Sequence, residues 1–271
     1  MRIALAQTFC KWGDVTGNLR RHDRLAERAQ RAGADLLLFP ETSIHGLWKD
    51  HLVRLAAEPL DGPIAAHMRA LARRHRLAVG YGLAETTPGK PYNAYVLLDT
   101  RGRRLAVHRK NYPTGLERHF YRAHRRRPVF TLHGVRTAIG ICADCHHPEL
   151  LRSYARRGAR LVLMPHAWDA DPLLKSGRPA GWPDMEYMVD AFARGRVARF
   201  RDHDEMLESF VGRLGPVCRD LGLAAAFVNQ AGQPHPLIPF RGPSFLLDGC
   251  GRVVAHSRTG GEGLLVAELE L

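Results

Sequence analysis

Cys142, Asp144, Cys145, His146 and His147 crowd into one short stretch that follows an apolar run, Val135, Ala138, Ile139 and Ile141. The run reads as a buried strand. Pro148 interrupts, and Leu150, Leu151, Tyr154 and Ala155 resume at helical spacing. A thiol where a strand gives way to a helix is well placed for chemistry, because a helix N-terminus favours the thiolate. Three readings compete. Cys142 can be a small buried core residue. Cys142-Ala143-Asp144-Cys145-His146 also fits the C-x-x-C-H pattern of c-type haem attachment, with redox or metal work as variants. Or Cys142 is a nucleophile, which requires a base and an oxyanion stabiliser elsewhere in the chain.

Two residues answer that requirement. Glu41 follows the apolar run Leu36-Leu37-Leu38-Phe39-Pro40, and Lys110 follows Leu105-Ala106-Val107. Each stands just beyond a strand, as Cys142 does, and ligand groups in layered α/β proteins gather outside strand ends. A carboxylate in an apolar setting has a raised pKa and can take a thiol proton. An ammonium, with the backbone N–H of Ala143, can stabilise the oxyanion that forms when a thiolate attacks a carbonyl or nitrile carbon. The lysine is informative because the chain has five lysines among 40 basic residues, and Lys110 sits between Arg109 and Asn111. A compact point charge is what a guanidinium does not supply.

The elements that must position these groups alternate. Residues 3–7 form a first strand, 18–32 an amphipathic helix closed by Gly33, 34–39 a second strand, and 62–75 a helix with Pro63 in its first turn. Strand 77–84 is followed by a hairpin through 91–98 and 105–107. A strand pair turning at His133-Gly134 leads to Cys142. Strands at 161–165 and 224–229, a hairpin over 244–255 and a strand at 264–269 complete the reading. Helix–strand alternation mixed with hairpins predicts an α/β fold with mixed sheets. No break in composition divides residues 1–271, so one domain is expected. The irregular stretch 169–204, rich in Asp, Gly and Pro at its start, reads as an insertion forming a lid or partner surface.

Composition narrows the partners. Formal net charge is +13, and ten Arg or Lys face one acid, Glu117, between residues 101 and 127. No nucleic-acid motif accompanies this charge and the aromatics are not interleaved with it, so a solvated basic face is expected rather than a nucleic-acid partner. No apolar run approaches a membrane span. Five scattered cysteines do not form a disulfide framework, and the first residues carry no long apolar stretch, which together point to the reducing cytoplasm and against haem attachment.

Leu38-Phe39-Pro40-Glu41, Arg109-Lys110 and Gly140-Ile141-Cys142-Ala143-Asp144 with Pro148-Glu149 resemble the three signatures of the nitrilase (carbon–nitrogen hydrolase) superfamily. Asn93 in a Tyr-Asn-Ala-Tyr-Val strand, Pro165-His166-Ala167-Trp168, Asn229-Gln230-Ala231-Gly232 and Phe240-x-Gly242-x-Ser244 resemble its other landmarks. The resemblance implies a four-layer α-β-β-α sandwich with two mixed sheets that commonly dimerises through its outer helices. It implies Cys142 as nucleophile, Glu41 as general base, Lys110 as oxyanion stabiliser and Glu117 as a second glutamate that positions substrate. No metal or cofactor is implied. The expected activity is hydrolysis of a small amide or N-carbamoyl compound through a cysteinyl thioester. Nitrile hydrolysis, acyl or amido transfer, and a catalytically weak basic binding protein are the alternatives. The chain departs from the pattern after the nucleophile, at Ala143, Cys145, His146 and His147. Ala143, His146, His166 and Trp168 are therefore the expected substrate-binding residues, His45 and His147 further shape a polar pocket, and Cys145 is the alternative nucleophile.

Overall fold

The computed structural model describes residues 1–46, 52–114, 117–168, 170–171, 198–199, 202–235 and 238–271. Apolar strands recur between helices whose apolar faces are one-sided, and that pattern builds two sheets with helices outside each. The first sheet holds β1 (Arg2–Gln7), β2 (Leu36–Leu38), β3 (Ala78–Glu85), β4 (Tyr92–Leu98) and β5 (Arg104–Arg109), with β16 (Gly263–Glu268) on its edge, in the order β16-β1-β2-β3-β4-β5. The second is ordered β15-β14-β11-β8-β7-β6. It uses β6 (Val129–Leu132), β7 (Val135–Ile139), β8 (Leu161–Pro165), β11 (Ala224–Val228), β14 (Phe245–Leu247) and β15 (Val253–His256).

Each sheet has three parallel central strands, β1-β2-β3 and β7-β8-β11, flanked by antiparallel ones. Parallel neighbours require crossovers, which helices supply. In the first sheet these are α1 (Val15–Arg31) and α3 (Pro63–His75), with the single turn α2 (Val53–Ala56) between them. In the second they are α5 (Pro148–Arg156) and α6 (His203–Leu221). Asp14 and Asp202 cap α1 and α6 by accepting from the N–H groups of Gly17 and Glu205.

Strand alternation sorts the core into three layers. Ile3, Leu5, Leu36, Leu38, Tyr95 and Leu97 face Ile139, Leu161, Leu163, Ala226 and Val228 between the sheets. Ala4, Leu37, Phe39 and Val79 turn the other way, onto Leu25, Ala29, Met68 and Leu71 of α1 and α3. Ala138, Val162, Ala225 and Phe227 likewise meet Leu150, Tyr154, Phe210 and Leu214 of α5 and α6. The result is the α-β-β-α sandwich expected from the sequence.

The sequence reading passes over α6 and the hairpin of β12 (Ala231–His235) and β13 (Ile238–Arg241). Gly212, Gly215 and Pro216 break the helical pattern of α6, yet Gly215 has a packing reason: a Cβ there would meet the Gly251 carbonyl oxygen at 2.9 Å. Within the expected insertion, β9 (Ala170–Asp171) pairs with β10 (Ala198–Arg199), and α6 begins at His203. The remainder of that expected lid lies outside the described residues. Among the described residues no helix is long and apolar enough to cross a membrane.

Candidate active site

Both sheets contribute to one edge. Glu41 follows β2, Asn93 stands near the start of β4, Lys110 directly follows β5, and Glu117 opens the one-turn helix α4 (Glu117–Phe120), all on the first sheet's side. Cys142 belongs to the second sheet, beyond β7, where it begins a 3-10 turn, Cys142–His146. All five side chains are only 1–2% exposed.

Lys110 is the hub. Its Nζ donates to Glu41 Oε1 at 2.6 Å and to Glu117 Oε2 at 2.7 Å. Asn93 Nδ2 bridges the same two carboxylates, reaching Glu41 Oε1 at 2.8 Å and Glu117 Oε1 at 3.1 Å. Thr114 adds its N–H and hydroxyl to Glu117 Oε2, both at 2.9 Å. Glu41 Oε2 is buried and accepts no hydrogen bond among the described residues. A carboxylate oxygen left with a free lone pair in such a place is equipped to receive a proton.

Burial and the neighbouring charges displace all three ionisable groups. Burial pushes the Glu41 carboxyl up; Lys110 pulls it down and Glu117 raises it again, leaving it above the usual carboxylate range. Burial works against the Lys110 ammonium, but Glu117 and Glu41 together hold its pKa well above normal. Burial, reinforced by Glu41, raises the Cys142 thiol well above a free cysteine, against the pull of Lys110 and of the Ala167 N–H. A thiolate favoured by a helix N-terminus is the sequence expectation, and the structure corrects it. Five residues of 3-10 turn do not offset full burial beside two carboxylates, so the thiol needs a base at the moment of attack.

Two left-handed residues stand at this edge. Cys142 and Thr42, the residue after Glu41, both adopt φ 48°, a left-handed conformation uncommon outside glycine. The Glu41 turn is held from several sides. Gln230 Nε2 donates to the Glu41 carbonyl at 2.9 Å, and the Tyr95 hydroxyl donates to the Phe39 carbonyl at 2.7 Å. Burial lowers the pKa of His22 to about 3, so it is neutral; its Nδ1–H donates to the Asn18 carbonyl and its Nε2 accepts from the Ser43 hydroxyl, 3.0 Å away.

Gly82 of β3 completes the support. A Cβ there would run into the Thr42 amide and lie 3.0 Å from the Glu41 carbonyl carbon. These are backbone atoms and cannot swing aside. Gly82→Ala is therefore expected to shift the Glu41 turn and lower kcat by about one to two orders of magnitude with the fold retained. Steady-state kinetics beside a circular dichroism melt would check this.

The expected substrate-binding residues separate. Ala143 is buried immediately after Cys142, in the 3-10 turn. Trp168 packs where the inter-sheet layer meets the outer layer. His166 stacks on Phe227 at 3.8 Å and donates Nδ1–H to the Met164 carbonyl at 2.9 Å. His146 lies 5.6 Å from the Trp168 ring and 6.1 Å from Phe210. The two histidines thus sit in an aromatic cluster beside α6. Cys145 points to that outer layer too, its thiol donating to the Gly140 carbonyl at 3.2 Å, whereas Cys142 faces the inter-sheet layer. His45 is occupied by backbone, Nε2–H to the Ala56 carbonyl and Nδ1 accepting from the Ala84 N–H. His147 stacks on Tyr112 at 3.5 Å.

Asn229 is a group whose position the sequence shows and whose task it hides. Its side chain holds both faces of the Trp168 peptide, accepting its N–H and donating to its carbonyl at 3.0 Å each. This fixes the strand end whose Ala167 N–H is directed at Cys142.

The model of the carbon-nitrogen hydrolase family matches residues 2–180, well over half of the chain. The chain belongs to the carbon-nitrogen hydrolases. Among its relatives, this hydrolase is 37% identical over 171 residues to a protein named as a hydrolase in the pqqF 5' region of Pseudomonas protegens. It is 34% identical over 165 residues to an (R)-stereoselective amidase of a Pseudomonas species. Those matches cover 62% and 60% of this chain and 59% of each relative, so the chain spans about three fifths of their length. Its fold matches the NitN amidase of Nesterenkonia sp. AN1 with a TM-score of 0.81 at 26% identity, over 100% of this chain and 93% of that one. Variants of that amidase carry acrylamide or the acetamide moiety of fluoroacetamide at the active-site cysteine. The family is thus that of the carbon-nitrogen hydrolases, and the fold matches that of a solved amidase from the nitrilase superfamily.

Proposed function

We propose that this carbon-nitrogen hydrolase cleaves small amides or N-carbamoyl compounds through a thioester on Cys142. The observation that carries the reading is the free Oε2 of Glu41, buried beside a thiol whose own pKa is raised, with the other oxygen of the same carboxylate tied to Lys110. Glu41 takes the Cys142 proton as Sγ attacks the carbonyl carbon. The carbonyl electron pair moves onto oxygen, and the Lys110 ammonium and Ala143 N–H stabilise that oxyanion. Collapse breaks the C–N bond, and Glu41 returns the proton to the departing ammonia or amine. Water, deprotonated by Glu41, then attacks the thioester, releasing the acid and restoring the thiol. Glu117 holds Lys110 and Asn93 in place through both steps.

The amidases among the structural neighbours support an amide substrate. A glutamine-dependent NAD(+) synthetase from Xylella fastidiosa, 29% identical over 93% of this chain and 41% of its own, favours a second reading. In that reading a primary amide is cleaved and the nitrogen passes to an acceptor.

Fluoroacetamide tests the nucleophile directly. Displacement of fluoride by Sγ leaves an acetamide thioether, and peptide mass spectrometry is expected to find it on Cys142 ahead of Cys10, Cys145, Cys218 and Cys250. Labelling of Cys145 first, or of no cysteine, would overturn the assignment. Ammonia release from a panel of primary amides, N-substituted amides and N-carbamoyl compounds then sorts the substrate classes.

A further inference from the structure

We propose that His108 and Asp144 form a clamp across the two sheets that sets Lys110 against Cys142, making both positioning residues for the thiol reaction. The proposal rests on the assignment of Cys142, Glu41 and Lys110 above. His108 lies two residues beyond Ala106 on β5 and so shares the face that Ala106 turns to the inter-sheet layer, toward the second sheet; Lys110, just past the strand end, follows at the same spacing. It is fully buried, and its Nε2 lies 2.8 Å from Oδ2 of Asp144, two residues beyond the nucleophile. Asp144, also fully buried, accepts the N–H of Ile141 at 3.1 Å on that same oxygen. Its other oxygen accepts the N–H groups of Asn111 at 3.0 Å and Tyr112 at 2.9 Å.

One carboxylate therefore fastens the residue before Cys142 to residues on both sides of Lys110. A buried carboxylate needs such donors to offset lost hydration. Their placement, however, is specific: each donor flanks either the cation or the nucleophile. The Nδ1 of His108 has no hydrogen-bond partner among the described residues, so the bond the ring makes is that of Nε2–H to Asp144. Among the described residues, Asp144 is the ring's hydrogen-bond partner. A leucine would fill that space without a polar group to satisfy, so the imidazole is best understood through the bond it makes.

The five lysines of the chain make the test tractable. In protein labelled with nitrogen-15 lysine, the buried ammonium of Lys110 is expected to give one slowly exchanging signal, assigned by its change in Lys110→Arg. His108→Phe should lose that protection and slow alkylation of Cys142 by fluoroacetamide about tenfold. His108→Gln, which retains a donor, should keep the protected signal and a rate within about threefold of the parent. Should His108→Phe not fold, the near-isosteric Asp144→Asn is read in the same way and should show both losses.

A protected Lys110 and an unchanged alkylation rate in His108→Phe or Asp144→Asn would overturn the clamp. So would equal losses in His108→Gln and His108→Phe, since packing alone would then explain both. If the parent shows no protected Lys110 signal, the clamp fails whatever the thiol does. If the parent shows that signal but Cys142 resists fluoroacetamide, the nucleophile assignment fails, and loss or retention of the protected signal in His108→Phe alone decides whether the clamp holds Lys110.

Discussion

Glu41→Gln is expected to reduce kcat/KM for amide cleavage by about two to four orders of magnitude, the range for loss of a general base. The substitution changes little else. Glutamine keeps an oxygen where Lys110 and Asn93 donate, and its amide group replaces Oε2, which has no partner to lose among the described residues. The thermal midpoint should therefore stay close to the parent or rise, because an ionisable group held above its usual pKa is removed from the interior.

The pH profile supplies a second reading of the same variant. Glu41 acts as a base only when ionised, and burial raises its pKa. Activity should therefore be present above an acid limb displaced upward from the ordinary carboxylate range and lost as pH falls through it. The limb belongs to the coupled Glu41, Lys110 and Glu117 set rather than to one residue. In Glu41→Gln that limb should disappear from the residual rate. A parent-like profile in the variant would remove Glu41 from the proton transfer.

Lys110→Met should be the more damaging change, because it affects chemistry and stability together. The ammonium lies between Glu41 and Glu117, and all three groups are almost fully buried. Removing the cation leaves two carboxylates in one dry site. The expected loss is about 3–5 kcal/mol at neutral pH, the usual cost of breaking a buried ion pair from one side, with turnover abolished. The loss should depend on pH in a definite direction. Without Lys110 the folded-state carboxylates have pKa values above those of the unfolded chain. The penalty is then absent below the unfolded carboxylate pKa and grows as pH rises through the folded one. Urea denaturation at pH 7 and pH 5 should show the variant closer to the parent at pH 5. Equal destabilisation at both values would place the charge balance elsewhere.

Much of this site is legible before any coordinates. Glu41, Lys110 and Cys142 end apolar runs that Pro40, Arg109 and the polar cluster after Ile141 terminate, and strand ends are where such folds expose functional groups. The four layers follow from alternating helices and strands and from the resemblance to known hydrolases. What stays hidden depends on contacts between segments distant in sequence. Asn93 reads as one polar residue in an apolar strand, and nothing local reveals that it joins two carboxylates whose own residues lie 52 and 24 positions away. The raised thiol pKa is likewise a property of burial, which the short strand-to-helix junction does not encode. Helix α6 is obscured for the opposite reason. Its Gly215 serves packing against the Gly251 turn, and together with Pro216 it looks like a breaker when read alone.

Glu41 and Lys110 belong to one sheet's side and Cys142 to the other's, so the spacing of the sheets sets how closely the carboxylate and the thiol approach. The packing of Leu5, Leu38, Ile139 and Leu163 then acts as a spacer gauge for the reaction. A side chain too large in that layer would open the gauge, and one too small would let it close, with the reacting groups themselves untouched. A substitution in the middle of this sandwich is thus expected to change the reactivity proposed for Cys142 while Glu41, Lys110 and Cys142 are all retained.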